Sequence, residues 1–146
     1  MCASEETVVV RRMSEADLRE VKKIDQRIVG DKRAISWPLE AEVQWAVNRP
    51  ALSFVAEVGK EVVGFLLGDI RISEYGTDLK GWIDMVGISP DHQRRGIGRK
   101  LVEAFREACR ENGVSPNVIV REDDTELVEF WESVGFSKGK LVSYEG

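Results

Sequence analysis

The residues whose types and spacing suit chemistry cluster in Gln93-Arg94-Arg95-Gly96-Ile97-Gly98-Arg99. Glycines two apart remove side chains where a ligand must come close to the main chain. A helix that begins there presents unpaired N–H groups and the positive end of its dipole. Arg94, Arg95 and Arg99 add charge of the same sign, so the segment attracts an anion, and a pyrophosphate fits that chemistry. A plainer reading stays open: Gly96 and Gly98 also suit a tight strand-to-helix turn with the arginines as its solvated face. Leu101 stands where a GxGxxG pattern needs its third glycine, and no GxxxxGKS/T segment occurs, which argues against dinucleotides and nucleoside triphosphates. Asp84 is the other candidate. It interrupts an apolar strand two residues before Val86, and alternation would place Asp84, Val86 and Ile88 on one face. Its carboxylate suits a general base, or equally a group satisfied by a neighbouring strand or by Arg71. His92 reads as surface packing or a ligand contact rather than a catalyst, and Cys109 as core.

The elements that must position these residues can be read from periodicity. Thr7–Met13 is a strand, and Ser14 followed by Asp17 marks the start of a helix over Glu15–Ile28 whose Leu18, Val21, Ile24 and Ile28 recur at helical spacing before Gly30. Pro38 opens a second helix to about Asn48. Leu52–Glu57, the turn Gly59-Lys60 and Glu61–Ile72 form a hairpin; Ser73–Lys80 is a polar loop; Gly81–Ile88 is a strand. Ile97, Leu101, Ala104, Phe105 and Ala108 define a long amphipathic helix ending near Asn112-Gly113. Asn117–Val120 reads as a short buried strand, Thr125–Val134 as a helix closed by Gly135, and Phe136–Tyr144 as a final extended stretch. The pattern is a mixed α/β fold, a sheet with helices on its faces. No repeat or linker divides residues 1–146, so one domain is expected.

Composition narrows the partners. The chain has 146 residues, 42% hydrophobic and 32% charged, enough for one buried core. A net charge of −5 disfavours nucleic acid and anionic membrane surfaces and weakly favours a cationic partner such as an amine. Two cysteines and one histidine at unrelated spacings offer no metal site. The polar, acidic start and the lack of any long apolar run lead to the expectation of a soluble cytoplasmic protein with no membrane partner.

The stretch Ile88–Leu101, with Gln93, Gly96 and Gly98 in place, resembles the (Q/R)xxGx(G/A) signature of the GNAT acetyltransferase superfamily, and Phe130-Trp131-Glu132-Ser133-Val134-Gly135-Phe136 resembles the family's closing (F/L)YexxGF segment. The resemblance implies a mostly antiparallel sheet of about six or seven strands, a splayed parallel pair that binds CoA, and about four flanking helices. It implies an N-acetyltransferase that moves an acetyl group from acetyl-CoA to a primary amine by direct attack in a ternary complex, without a metal. The acceptor would be a small amine, a peptide N-terminus or a protein lysine. Residues matching the family's CoA contacts are Val86, Gly87 and Ile88 along the pantetheine arm, Gln93, Arg94, Arg95, Gly96, Ile97, Gly98 and Arg99 at the pyrophosphate, and Asp124 and Trp131 further on. Gly87 suits a bulge in that strand.

Three positions depart from the family. Trp131 stands where many members carry a tyrosine acid, Ile119 where N-terminal acetyltransferases often carry a glutamate, and Asp124 where an asparagine is frequent. Asp84 is left as the preferred base. The departures also motivate a different class of function, a non-catalytic CoA-binding sensor or regulatory module; a GNAT-like interaction domain without cofactor is a third. In this architecture the acceptor enters between Gly30–Pro38 and Arg71–Lys80, where Trp37 and Tyr75 could line a groove and Glu74 and Asp78 attract a cation. The short segment after Phe136 leaves a closing strand to be stubby, missing or supplied by a second subunit, so a homodimer stays open.

Overall fold

A computed structural model describes residues 7–30, 45, 51–72 and 79–146. Its sheet has the order β1 (Val8–Arg12), β2 (Phe54–Val58), β3 (Glu61–Ile72), β4 (Leu79–Ile88), β5 (Ser115–Val118). Strands β1 to β4 pair antiparallel in chain order, and β4 and β5 run parallel. A parallel return needs a crossover, which helix α2 (Ile97–Glu111) supplies. Helix α1 (Leu18–Val29) follows β1, and α3 (Thr125–Ser133) follows β5.

Alternation along the strands builds two cores. Phe54, Ala56, Leu66 and Ile83 pack with Ile97, Leu101, Val102, Phe105, Ala108 and Cys109 of α2 and with Trp131 of α3. Val55, Phe65 and Leu67 point the other way, onto Leu18, Val21 and Ile24 of α1. Both helices therefore bury the stripe their spacing predicts. Helix α2 thus covers one face of the sheet and α1 the other.

Several expectations are corrected. Among the described residues the sheet has five strands rather than six or seven, and three α-helices with bounds there accompany it. The expected helix from Pro38 to Asn48 lies outside the described residues except for Trp45, which is helical and half-buried. Helix α1 is preceded by a 3-10 turn over Glu15–Asp17, where the Asp17 carboxylate accepts from the Ser14 N–H at 2.8 Å. The short strand is Ser115–Val118, shifted from Asn117–Val120 and half-buried rather than buried, and Ile119 beyond it is 79% exposed. Phe136–Tyr144 forms no strand; Val142 and Tyr144 lie open to solvent, because apolar, extended-prone residues become a strand only when an edge pairs with them.

Leu67 lies opposite Met85 and Gly68 opposite Ile83, so Asp84 is an extra residue, a bulge. An extra residue shifts the phase of alternation. Val86 and Ile88 pack against the α2 core, whereas the Asp84 carboxylate joins the guanidinium of Arg71, which shares its face with Phe65 and Leu67 and therefore with α1. Asp84 does not share a face with Val86 and Ile88. Nor is Gly87 the bulge: it pairs regularly opposite Phe65, and a Cβ there would fall 2.5 Å from Phe65 Cε1 and 3.0 Å from Ile28 Cδ1. Close packing beneath α1 is what requires glycine at 87.

Candidate active site

The site is built where β4 and β5 part. Their parallel register runs from Lys80 opposite Ser115 to Ile83 opposite Val118, and β4 then continues to Ile88 without a partner strand on that side among the described residues. The outward backbone groups of this last stretch thus have no ladder partner among the described residues. Beyond it, Gln93 turns back and its amide donates to the Ile88 carbonyl at 3.2 Å, closing the approach to α2.

The entry to α2 carries two residues in the left-handed region, Arg94 at φ +65° and Gly96 at φ +77°. For Gly96 this conformation is free; a non-glycine residue such as Arg94 holds it at a cost of about 1–2 kcal/mol. The first helical bond runs from Lys100 N–H to the Gly96 carbonyl at 3.1 Å, so the N–H groups of Ile97, Gly98 and Arg99 have no acceptor within the helix. No side chain caps this end and its first turn has no acid. Helix α3 is the contrast: its N-terminus is capped by Asp124, whose carboxylate accepts from Leu127 N–H at 3.2 Å. A helix start left uncapped, with Arg94 and Arg95 exposed beside it, is a positive corner on an acidic chain. These residues fit a diphosphate through main-chain donors and guanidinium groups.

The neighbours decide what each residue offers. Ile97 is 1% exposed, so its side chain is core and only its main chain can face a ligand. A Cβ on Gly98 would lie 3.2 Å from the Phe130 ring, which sets glycine at 98 as the contact point between α2 and α3. Arg99 donates to the Ser133 carbonyl at 3.2 Å and ties the same two helices. Trp131 is 6% exposed, stacked edge-on between Phe130 and Phe136 at centroid distances of 5.0 and 5.3 Å. Its ring belongs to the core, and Phe130 is the aromatic that α3 brings to the glycine loop. Asp124 spends its carboxylate on the α3 cap. The structure thus brings Val86–Ile88 and Gln93–Arg99 together, with Phe130 beside them.

On the α1 face, Arg71 grips both oxygens of Asp84, at 2.6 and 3.2 Å, and that bond raises the guanidinium above its usual range. Both side chains stay accessible, at 47% and 37% exposure. Of the expected acceptor-side residues, Trp37, Glu74, Tyr75 and Asp78 lie outside the described residues. Cys109 is fully buried, and burial pushes its thiol up to about 11, the behaviour of a core residue. Among the described residues no group of three or more His, Cys, Asp or Glu side chains is placed to hold a metal, and no helix is long and apolar enough to cross a membrane.

Phe130 and Arg27 escaped the reading from sequence. Phe130 lies inside the (F/L)YexxGF match, but the contact with Gly98 depends on how α3 packs. Arg27 of α1 donates to the Ser89 hydroxyl at 3.1 Å and to the Asp91 carboxylate at 2.9 Å, and no local pattern links residues 62 and 64 positions apart.

Comparison with known proteins agrees with this architecture. An N-alpha-acetyltransferase 30 of Schizosaccharomyces pombe is 31% identical over 100 residues, 68% of this chain and 63% of that protein, so the chain spans less than two thirds of that relative. N-alpha-acetyltransferase RimI of Mycobacterium tuberculosis is 30% identical over 142 residues, 94% of this chain and 84% of the relative. The solved aminoglycoside N-acetyltransferase AAC(6')-Iy, in complex with CoA, superimposes with a TM-score of 0.82 at 14% identity, covering 100% of this chain and 98% of that one, and shows the shared fold. Residues 18–136, from the start of α1 through the glycine loop to Phe136, match the acetyltransferase (GNAT) family, and the chain belongs to it.

Proposed function

We propose that the chain is an acetyl-CoA-dependent N-acetyltransferase that acts on a primary amine in a ternary complex. The observation that carries this reading is the uncapped, acid-free N-terminus of α2 at Gly96, set against the unpaired end of β4. The main-chain N–H groups of Ile97, Gly98 and Arg99, with Arg94 and Arg95, would hold the diphosphate; the open edge of Val86–Ile88 would pair with the pantetheine arm. Bound acetyl-CoA supplies a thioester whose thiolate, with a reference pKa of about 8.5, leaves without full protonation. A phenol at position 131 is therefore dispensable.

In this reading the diphosphate is held on the α2 side and the acceptor enters from the α1 side, the side on which Asp84 meets Arg71. An amine entering there is largely protonated if it is a lysine, with a reference pKa of about 10.4. Asp84 would take that proton, the ammonium replacing Arg71 at the carboxylate. The relatives named as N-alpha-acetyltransferases and the aminoglycoside enzyme support an amine acceptor, with peptide N-termini and small polyamines as the classes to try first. The second reading, a CoA-binding sensor, is favoured by the exposed Ile119 and the core-buried Trp131, positions that offer no proton-transfer group.

The test is release of free thiol from acetyl-CoA across a panel of amines, N-terminal peptides and lysine peptides, comparing wild type with Asp84→Asn. Turnover with one acceptor class, and a rate for Asp84→Asn lower by about tenfold or more, is expected. Tight CoA binding without turnover on any acceptor would favour the sensor. An unchanged rate and pH profile in Asp84→Asn would remove the base and leave the enzyme.

A further inference from the structure

The glycine loop is held from the side that the sequence motif does not cover. Ser89, the first residue after β4, is 5% exposed; its N–H donates to the Val63 carbonyl at 2.8 Å and its carbonyl accepts from His92 N–H at 2.8 Å. Ser89 is therefore fixed to β3, and the turn Pro90–His92 grows from it. Arg27 of α1 reaches to this turn with both terminal guanidinium nitrogens, one on the Ser89 hydroxyl at 3.1 Å and one on Asp91 at 2.9 Å. The planar fork meets two acceptors at once, a geometry that lysine cannot reproduce in full.

Asp91 is the acid nearest in sequence to the positive corner, three residues before Arg94. Its carboxylate is 70% exposed and would be free to turn were it not paired. A freed carboxylate three residues from Arg94 would be drawn to the Arg94 and Arg95 guanidinium groups and the open N–H groups of α2, where it would stand in for the ligand's own anion. Resting on the acetyl-CoA reading above, we infer that Arg27 is a positioning residue: it holds Asp91 on the α1 side and so keeps an internal anion out of the diphosphate site. The same contact joins the donor loop to the helix that leads, three residues later, into the segment at Gly30 expected to meet the acceptor.

The size of the effect follows from Coulomb's law. One carboxylate brought to within about 8 Å of a doubly charged diphosphate in water-like surroundings weakens its binding by about fivefold at low ionic strength, and by about twofold once salt at about 0.15 M screens the pair. The experiment is calorimetric titration with acetyl-CoA, in low-salt buffer, of wild type, Arg27→Gln, Arg27→Lys and the double variant Arg27→Gln with Asp91→Asn, each with its unfolding midpoint recorded. Arg27→Gln should bind about fivefold more weakly, with the loss in KM for acetyl-CoA rather than in kcat at saturating donor. The double variant should return to within about twofold of wild type, because the competing charge is gone, and Arg27→Lys should stay within about twofold because it still pairs Asp91. A double variant as weak as Arg27→Gln alone would reduce Arg27 to a structural tie and overturn the inference, as would an Arg27→Gln that binds like wild type. Wild type that does not bind acetyl-CoA at all would instead sink the reading on which the inference rests.

Discussion

Gly96 and Gly113 stand at opposite ends of α2 in the same backbone state, φ +77° and φ +67°, and a Cβ at either would meet nothing within 4 Å. Gly96→Ala and Gly113→Ala should therefore carry the same backbone cost. A left-handed conformation costs an alanine about 1–2 kcal/mol, partly offset by the lower entropy of its unfolded chain, for a net loss of about 1 kcal/mol. In a chain of this length that lowers the unfolding midpoint by about 2–4 °C in both variants. Their effects on ligand binding should differ. The empty space around Gly96 is the mouth of the proposed diphosphate site, so a methyl group there displaces the ligand from the main chain, whereas Gly113 follows the far end of the helix. Loss of one close donor contact to a charged group is worth about 1.5–3 kcal/mol, so acetyl-CoA affinity should fall by about tenfold or more in Gly96→Ala and stay unchanged in Gly113→Ala. Thermal unfolding and calorimetric titration of both variants check this. Equal affinity in the two, with equal loss of stability, would show that the empty space at Gly96 is plain solvent and would refute the reasoning.

Three further outcomes follow from other contacts. Ser53, 3% exposed, both donates to the Gly68 carbonyl and accepts from the Gly68 N–H at 3.1 Å, so Ser53→Ala removes two bonds to buried backbone and should cost about 1–3 kcal/mol in denaturant unfolding. The Arg11 guanidinium, bonded to Asp17 at 2.8 Å, holds that carboxyl below the usual range; its share of stability is present above about pH 4 and is lost as pH falls through the lowered value, and Asp17→Asn should flatten that acid limb. Burial pushes the Cys109 thiol up to about 11, above its ordinary value of about 8.5, so its share of stability should decline as pH climbs between those values, and Cys109→Ala should flatten the decline.

Helix faces were the most legible part of the fold because they depend on spacing alone. Leu18, Val21 and Ile24 in α1 and Ile97, Leu101 and Phe105 in α2 recur every three or four residues, and every one is buried. The hairpin turn at Gly59-Lys60 and the glycine loop at 93–98 were equally local, since turn chemistry and an uncapped helix start are written in adjacent residues. What depends on partners distant in sequence was hidden. The bulge at Asp84 exists only in the register between β3 and β4, and it reverses the face that strict alternation assigns to that carboxylate. The need for glycine at 98 comes from Phe130, and the hold on Asp91 comes from Arg27; neither partner lies within thirty residues. Phe136–Tyr144 has the composition of a strand but forms none, because an extended segment without a paired edge has no ladder to join.

The central claim, that the main chain between Arg94 and Arg99 grips a diphosphate while the free edge of β4 takes the arm, is met most directly by amide chemical shifts. In a titration of 15N-labelled protein with acetyl-CoA, the amides of Arg94–Arg99 and of Val86–Ile88 should move together and saturate at one stoichiometric equivalent, while those of β1 stay still. Saturable binding that shifts other amides and leaves both segments where they were would contradict it.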